Sequence, residues 1–484
     1  FLQSIEVRPS GGEKQHYFLP LAAVWLPAGS EARQQLMPQT LAELRQFRRE
    51  GVLVDALSRD GFLLALFNAV QREDTVAFGD DVATPGEIRF RHTPLFEEAP
   101  LPERIVARRL GAEQSNSSIL IEEYAVLKMY RRLQAGPHPE IEMGRFLVER
   151  AGFTNTPPLL ATIELVEPGE TESSALGVMF GFERNQGDGW NLALDYLLRY
   201  LDDSLNEAAP GALPPGRTAE LPDPDHFFVA LSRQLGLRTA QMHRALAEHG
   251  AGDPDFAPEP LGPDDFAEWQ RDFEQSVTGM LARLKRVRAA MPDDVRELAD
   301  AVVAAEDRLF GFVRSLAARG VNAVKTRYHG DFHLGQVLAV QNDFYIIDFE
   351  GEPARPLAAR RRKSSPLRDV AGMIRSFDYA ATSAVRQMAE TRPSAVPRMA
   401  ELADAWRQRA VDGFRAAYHK TMRGCPAYPA KAQAKMLIDY FTLEKAVYEV
   451  NYELANRPGW VAIPLNGMLR VLAKLTGNGN AAAS

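Results

Sequence analysis

Cysteine is almost missing from this 484-residue sequence. The lone Cys425 excludes an internal disulfide framework and any multi-cysteine metal site, and it fits a reducing cytoplasm. No apolar run approaches the ~20 residues that span a bilayer, so no membrane role is expected. A basic excess is missing too. Lys and Arg number 56 against 64 Asp and Glu, a formal net charge of −8. With no surplus of cations to neutralise phosphates, nucleic-acid binding is not expected as the main task. Two glycine signatures are also absent. Without G-x-x-x-x-G-K-[ST] the chain is not a P-loop NTPase. Without G-x-G-x-x-G, neither a dinucleotide fold nor the usual protein-kinase phosphate loop is indicated. No helical HExxH pattern occurs, which leaves a zinc reading poor.

The residues present are those of an ordinary globular protein, 45% hydrophobic and 25% charged, with length for two or three domains. One stretch organises the rest. Tyr328-His329-Gly330-Asp331-Phe332-His333-Leu334-Gly335-Gln336 reads as a loop carrying an Asp. Val337-Leu338-Ala339-Val340 and Phe344-Tyr345-Ile346-Ile347 read as hairpin strands around a polar turn at Gln341-Asn342-Asp343, and a second Asp follows at 348. Pairing Val340 with Phe344 sets Gln336 opposite Asp348, where side chains stand roughly 4.5–5.5 Å apart. An amide oxygen beside a carboxylate is a seat of hard oxygen ligands for a divalent metal carrying a nucleotide. Asp331, just before it, is placed to accept a proton from a hydroxyl. The layout is that of a phosphotransferase catalytic loop.

The remainder reads as an α+β chain in three parts. Residues 1–92 form a small, mostly β cap with no recognisable nucleophile–base pair. Residues 93–187 form a β-rich lobe. In it, Ala125-Val126-Leu127-Lys128-Met129-Tyr130 is a strand with one Lys, and a helix near 139–150 carries Glu140, Glu142 and Glu149. Strand Lys and helix Glu upstream of such a hairpin match the pair that kinase folds use to hold nucleotide phosphates. Glu142 is the first choice of partner, and Glu140 takes its place if the helix phase differs. The turn from Gln114 to Ser118 either covers phosphates through Ser117, Ser118 and backbone N–H groups or is an ordinary hairpin tip. Asn185-Gln186-Gly187-Asp188-Gly189-Trp190 reads as a hinge that bonds adenine. Residues 188–484 are mainly helical, interrupted by a Pro/Gly-rich loop at 208–224. His243 reads as a hydrogen-bonded packing residue.

The segment His329-Gly330-Asp331-Phe332-His333 with Gln336 and Asp348 resembles the aminoglycoside phosphotransferase and choline-kinase-like branch of the eukaryotic-type kinase fold. Longer motifs resemble the maltokinases within it. These are Asp348-Phe349-Glu350-Gly351-Glu352-Pro353, Arg368-Asp369-Val370-Ala371-Gly372-Met373 with Arg375-Ser376-Phe377, and Glu444-Lys445-Ala446-Val447-Tyr448-Glu449-Val450-Asn451-Tyr452 with Arg457-Pro458-Gly459-Trp460. The order of parts agrees along essentially the whole chain.

The resemblance implies a bilobal protein-kinase-like fold and ATP-dependent phosphorylation of maltose at its anomeric hydroxyl, giving α-maltose 1-phosphate for α-glucan synthesis. It implies Asp331 as the catalytic base and Gln336 with Asp348 as Mg²⁺ ligands. It also implies a fused or associated trehalose synthase, which would lie ahead of Phe1. Lys128, fixed by Glu142, would contact the α/β-phosphates. His329 and His333 either orient the loop or pack. The basic run from Arg360 to Lys363 either supports the structure or touches phosphate. A sugar site wants carboxylates, amides, Arg and an aromatic face. His329, Asp369, Arg375, Glu444, Lys445, Tyr448 and Glu449 are the candidates, with Tyr379 and Asn451 beside them. Glu444, Tyr448 and Tyr452 share one helix face. Two other readings stay open: the same fold acting on an aminoglycoside, choline, fructosamine or another sugar, and a non-catalytic binding module.

Overall fold

The computed structural model describes residues 2–9, 14–27, 29–79, 85–98, 106–110, 116–207, 225–317 and 320–477. Gln114 and Ser115 of the turn, and the loop at 208–224, both read above, lie outside them. The chain divides into two compact units. One holds the residues up to Arg150, then Thr156–Arg184 and Phe349–Arg360; the other holds Ala151–Asn155, Asn185–Asp348 and the residues from Arg361 on.

The first unit is built on two sheets. In one, β1 (Leu2–Val7), β2 (Gln15–Trp25), β3 (Thr40–Gln46) and β4 (Arg49–Asp55) run in the order β1-β2-β4-β3. The other comprises β5 (Thr75–Phe78), β6 (Gly86–His92), β7 (Ala107–Arg109), β8 (Asn116–Ile121), β9 (Ala125–Tyr130), and later β11 (Leu159–Val166) and β12 (Ser173–Gly181). Its order is β5-β6-β11-β12-β9-β8-β7, antiparallel throughout. The short β10 (Arg132–Leu133) leaves β9 and pairs with β2, which joins the two sheets. A boundary at residue 92 therefore cuts through a sheet. β6 contributes Ile88 and Phe90 to the core of Phe67, Leu127 and Ile163, against which Phe78 of the otherwise exposed β5 packs. The helix Pro139–Arg145 follows His138, with Pro139 at its first position, where the missing N–H costs nothing.

The second unit is mainly helical. Long helices at Gly189–Glu207, Asp225–Glu248, Pro263–Val287, Leu367–Ala389, Val396–Met422, Lys431–Asn456 and Ala462–Gly477 surround buried aromatics including Phe377, Trp406, Phe414 and Tyr440. Contact is close where glycine permits it: a Cβ on Gly236 would lie 2.2 Å from the Phe414 carbonyl oxygen. Two small antiparallel pairs complete the unit, β13 (Glu259–Pro260) with β14 (Val324–Lys325) and β15 (Val337–Val340) with β16 (Asp343–Ile346). The helical part is not continuous from 188 on, because Phe349–Arg360 groups with the sheets of the first unit. Among the described residues no helix is long and apolar enough to cross a membrane.

Candidate active site

The loop 328–336 is held from three sides within the helical unit. Asp369, buried in the Leu367–Ala389 helix, accepts hydrogen bonds from the backbone N–H groups of His329 (2.7 Å) and Gly330 (3.0 Å). Its Oδ2 also meets His243 Nε2 at 3.0 Å, while His243 Nδ1 lies 2.9 Å from the Tyr418 hydroxyl. A neutral His243 satisfies both contacts, donating from Nε2 and accepting the tyrosine O–H at Nδ1. Burial pushes the Tyr418 hydroxyl well above its ordinary pKa, so it keeps the proton it donates. His329 repeats the pattern. Its Nε2 lies 2.9 Å from the Ile347 carbonyl, and its Nδ1 accepts from the Asp331 N–H at 3.4 Å. On the third side, Ser376 Oγ accepts from the Leu334 N–H at 3.0 Å, and His333 Nδ1 caps the Gly335 N–H at 3.0 Å. Gly330 takes φ of 90°, which turns the chain so that Asp331 projects from a backbone that cannot shift easily.

The hairpin after the loop differs by one residue from its expected register. Val337 faces Ile346 and Val340 faces Asp343 around a two-residue turn, with Gln341 at φ 57°. Asp343 belongs to the strand because its carboxylate is anchored: Arg238 Nε and Gln234 Nε2 donate to it at 2.8 and 2.9 Å. Gln336 then stands opposite Ile347, whose N–H donates to its carbonyl at 3.0 Å. Gln336 and Asp348 still meet. Asp348 turns into the left-handed region (φ 67°), and its Oδ2 accepts from Gln336 Nε2 at 2.7 Å. A non-glycine side chain held there costs free energy that the surrounding contacts must offset. A half-turn of the amide offers Gln336 Oε1 beside the carboxylate, a donor set of the hard oxygens that Mg²⁺ takes.

Lys445 Nζ lies 3.4 Å from Asp331 Oδ1 and 5.1 Å from the centre of the Tyr448 ring. Tyr448 and Tyr452 stack at 6.3 Å and are 40% and 44% exposed, so one face of the Lys431–Asn456 helix presents an ammonium and two open rings. Glu444, a turn before Tyr448, is half-buried and ion-paired with Arg368. Other expected sugar ligands hold the protein together instead. Arg375, 1% exposed, donates from Nε to Glu449 at 2.8 Å and pairs with Asp378. Burial pushes the Glu449 carboxyl above its ordinary value even against that guanidinium. Asp369 and His329 act on the loop backbone, as described.

In the sheet unit, Lys128 on β9 bonds Glu140 Oε2 at 3.0 Å and Glu350 Oε1 at 3.1 Å. Glu140 is the partner rather than the first-chosen Glu142, because residues two apart do not share a helix face. Tyr130 donates its hydroxyl to the same Glu140, and Asn116 donates to Glu350 at 2.8 Å. Ser118 pairs directly across from Lys128 and so shares its face. Ser117 points the other way; its Oγ accepts from Arg131 Nε at 3.0 Å and from Arg109 Nη2 at 3.2 Å. Asn116, Tyr130 and Glu350 were not singled out in the sequence as members of this cluster. Asn116, in the turn read as a possible phosphate cover, and Glu350, two residues beyond Asp348, carried some signal; Tyr130 carried none.

Comparison with known proteins gives the architecture its context. No family model matches the sequence. A glucosamine kinase from Streptacidiphilus jiangxiensis is 27% identical over 369 residues, covering 74% of this chain and 71% of its own. A glucosamine kinase from Mycolicibacterium smegmatis (strain ATCC 700084 / mc(2)155) is 25% identical over 358 residues, covering 74% and 77%. Among solved structures, a glucosamine kinase in complex with glucosamine, ADP and inorganic phosphate superposes with a TM-score of 0.63 at 20% identity, covering 97% of this chain and 94% of that one. The fold is kinase-like. In a kinase-like fold the sheet unit is the N-lobe and the helical unit the C-lobe.

Proposed function

We propose that this chain is an ATP-dependent sugar kinase and that its acceptor is maltose, phosphorylated at the anomeric hydroxyl to α-maltose 1-phosphate. The observation that carries the kinase reading is Asp331, presented by a clamped loop just ahead of the Gln336–Asp348 pair. Two relatives that are glucosamine kinases support it. Asp331 accepts the proton of the attacking hydroxyl, and Lys445 beside it steadies the carboxylate for that task. Gln336 and Asp348 would hold Mg²⁺, which would supply neutralisation of the phosphate charge. Lys128, kept in place by Glu140, binds the α/β-phosphates. Phosphoryl transfer asks little more of a protein than such positioning and charge.

Two observations favour a neutral sugar longer than one ring. The group beside Asp331 is an ammonium, which repels the amine of an amino sugar. The open Tyr448 and Tyr452 rings lie one helical turn apart and continue the face that Lys445 begins, which offers a second pyranose a surface to stack on. Glucosamine is the second reading, favoured by the relatives. Incubation with Mg-ATP and either maltose or glucosamine, followed by phosphorus NMR, separates them. Maltose should give a new anomeric phosphate doublet; turnover of glucosamine alone overturns the maltose assignment while leaving the kinase reading intact.

A further inference from the structure

The sheet unit contains a cavity of about 210 Å³ whose wall includes Tyr17 of β2, Arg131 and Arg132 at the β9–β10 junction, Gln134, His138 and Arg360. Lys128 does not line it. We propose that this cavity, whose wall also includes Asn116, Tyr130 and Glu350 of the Lys128 cluster, binds a small phosphate-bearing anion beside that cluster and without a contact to Lys128 itself.

Its charges do not balance. Arg131 is engaged by Asp55 and by Ser117 Oγ. Glu350, the one carboxylate in the wall, is held by Lys128 and Asn116. Arg360 has a side chain only 4% exposed, yet its close partners are neutral: the carbonyls of Arg355 (3.0 Å) and Glu350 (3.2 Å) and the Gln134 amide oxygen. The Glu350 carboxylate stands 3.8 Å away from it. Burial and the neighbouring Arg132 both act to depress the Arg360 pKa. Arg132 lies opposite Tyr17 in the β2–β10 pairing and makes no ion pair among the described residues. The buried guanidinium of Arg360, whose one carboxylate partner among the described residues is Glu350 at 3.8 Å, and the exposed Arg132 thus border one small cavity in which Glu350 is the one carboxylate and is shared with Lys128. Planar guanidinium forks match phosphate oxygens, and a buried cation gains most from such a partner. The volume admits inorganic phosphate or a small phosphate monoester and excludes a nucleotide as a whole.

The test is calorimetric titration of inorganic phosphate, and separately of glucose 1-phosphate, into the full chain saturated with Mg-AMP-PNP, which occupies the nucleotide site. One equivalent should bind, and Arg132→Gln should weaken it about tenfold, as loss of a charge-assisted contact does, with AMP-PNP affinity unchanged. Lys128→Met without nucleotide should still bind phosphate. Tighter binding of glucose 1-phosphate identifies a sugar phosphate as the ligand class, and equal binding identifies free phosphate. No heat from either anion, no change on Arg132→Gln, or loss of binding in Lys128→Met overturns the proposal.

Discussion

At the scale of single residues, the site depends on which groups are restrained and which are left to react. Asp331 is a quarter exposed and touched by Lys445, whereas Asp369 behind it is buried and fully engaged. Replacing Asp331 by Asn keeps the shape and removes the base. Turnover in a steady-state assay should fall by about 10²–10⁴-fold with the melting temperature unchanged. His333 gives a prediction of a different kind. Burial depresses its pKa from the ordinary 6.5, the nearby carboxylate of Asp331 opposing the effect. Its Nδ1 must stay unprotonated to accept the Gly335 N–H. Below pH 6.5 the unfolded chain binds a proton at this residue that the folded chain refuses, so stability rises with pH across that window and is lost as pH falls. His333→Asn retains an acceptor without a titrating ring. Urea unfolding between pH 5 and 7 should show a flatter pH dependence for that variant than for the parent.

At the scale of elements, the loop 328–336 is fixed to the helix it lies against by the Asp369 carboxylate. A Cβ on Gly372 would come within 2.6 Å of the Phe332 carbonyl oxygen, so Gly372→Ala must push the loop off its helix. A loss of about 1–3 kcal/mol in chemical denaturation is expected, with a drop in kcat larger than any change in KM. The hairpin shows how far local sequence reaches. Its strands, its loop Asp and the meeting of Gln336 with Asp348 were legible from apolar runs and spacing. Its register was not. The turn ends one residue earlier than the polar run suggests, because Asp343 is claimed by Arg238 from a helix a hundred residues away in sequence. The choice between Glu140 and Glu142 failed for a related reason: the helix phase is set by Pro139 and the packing of Ile141 and Met143, which a short charged segment does not reveal.

At the scale of the whole molecule, the contrast between a β-rich first part and a helical second part was plain from composition, while the kinase-like architecture was implied by the resemblance that the motifs around Asp331 and Asp348 carry. The exchange of Phe349–Arg360 into the sheet unit was not legible, since it depends on tertiary contacts such as Glu350 with Asn116. Burial was equally hidden. Glu449 looks like a sugar ligand in a helix that also carries Lys445 and Tyr448, and Arg375 looks like one in the Leu367–Ala389 helix; only packing shows that the two face each other in the interior. Ligand linkage tests the whole chain at once. Mg-AMP-PNP at 100 times its Kd should stabilise the protein by about 2.7 kcal/mol in thermal unfolding. Chelation of the metal should remove most of that gain, and Lys128→Met should remove it with metal present.

The left-handed backbone at Asp348 has an evolutionary consequence. Glycine would adopt φ 67° without the ~1 kcal/mol or more that a side chain incurs there. Selection for robustness alone would therefore favour a residue that cannot coordinate anything. Asp348→Gly should melt higher than the parent and transfer no phosphate, a variant that heat-challenge screens enrich and activity screens discard. A variant that melts lower would show that the carboxylate's bond to Gln336 outweighs the strain.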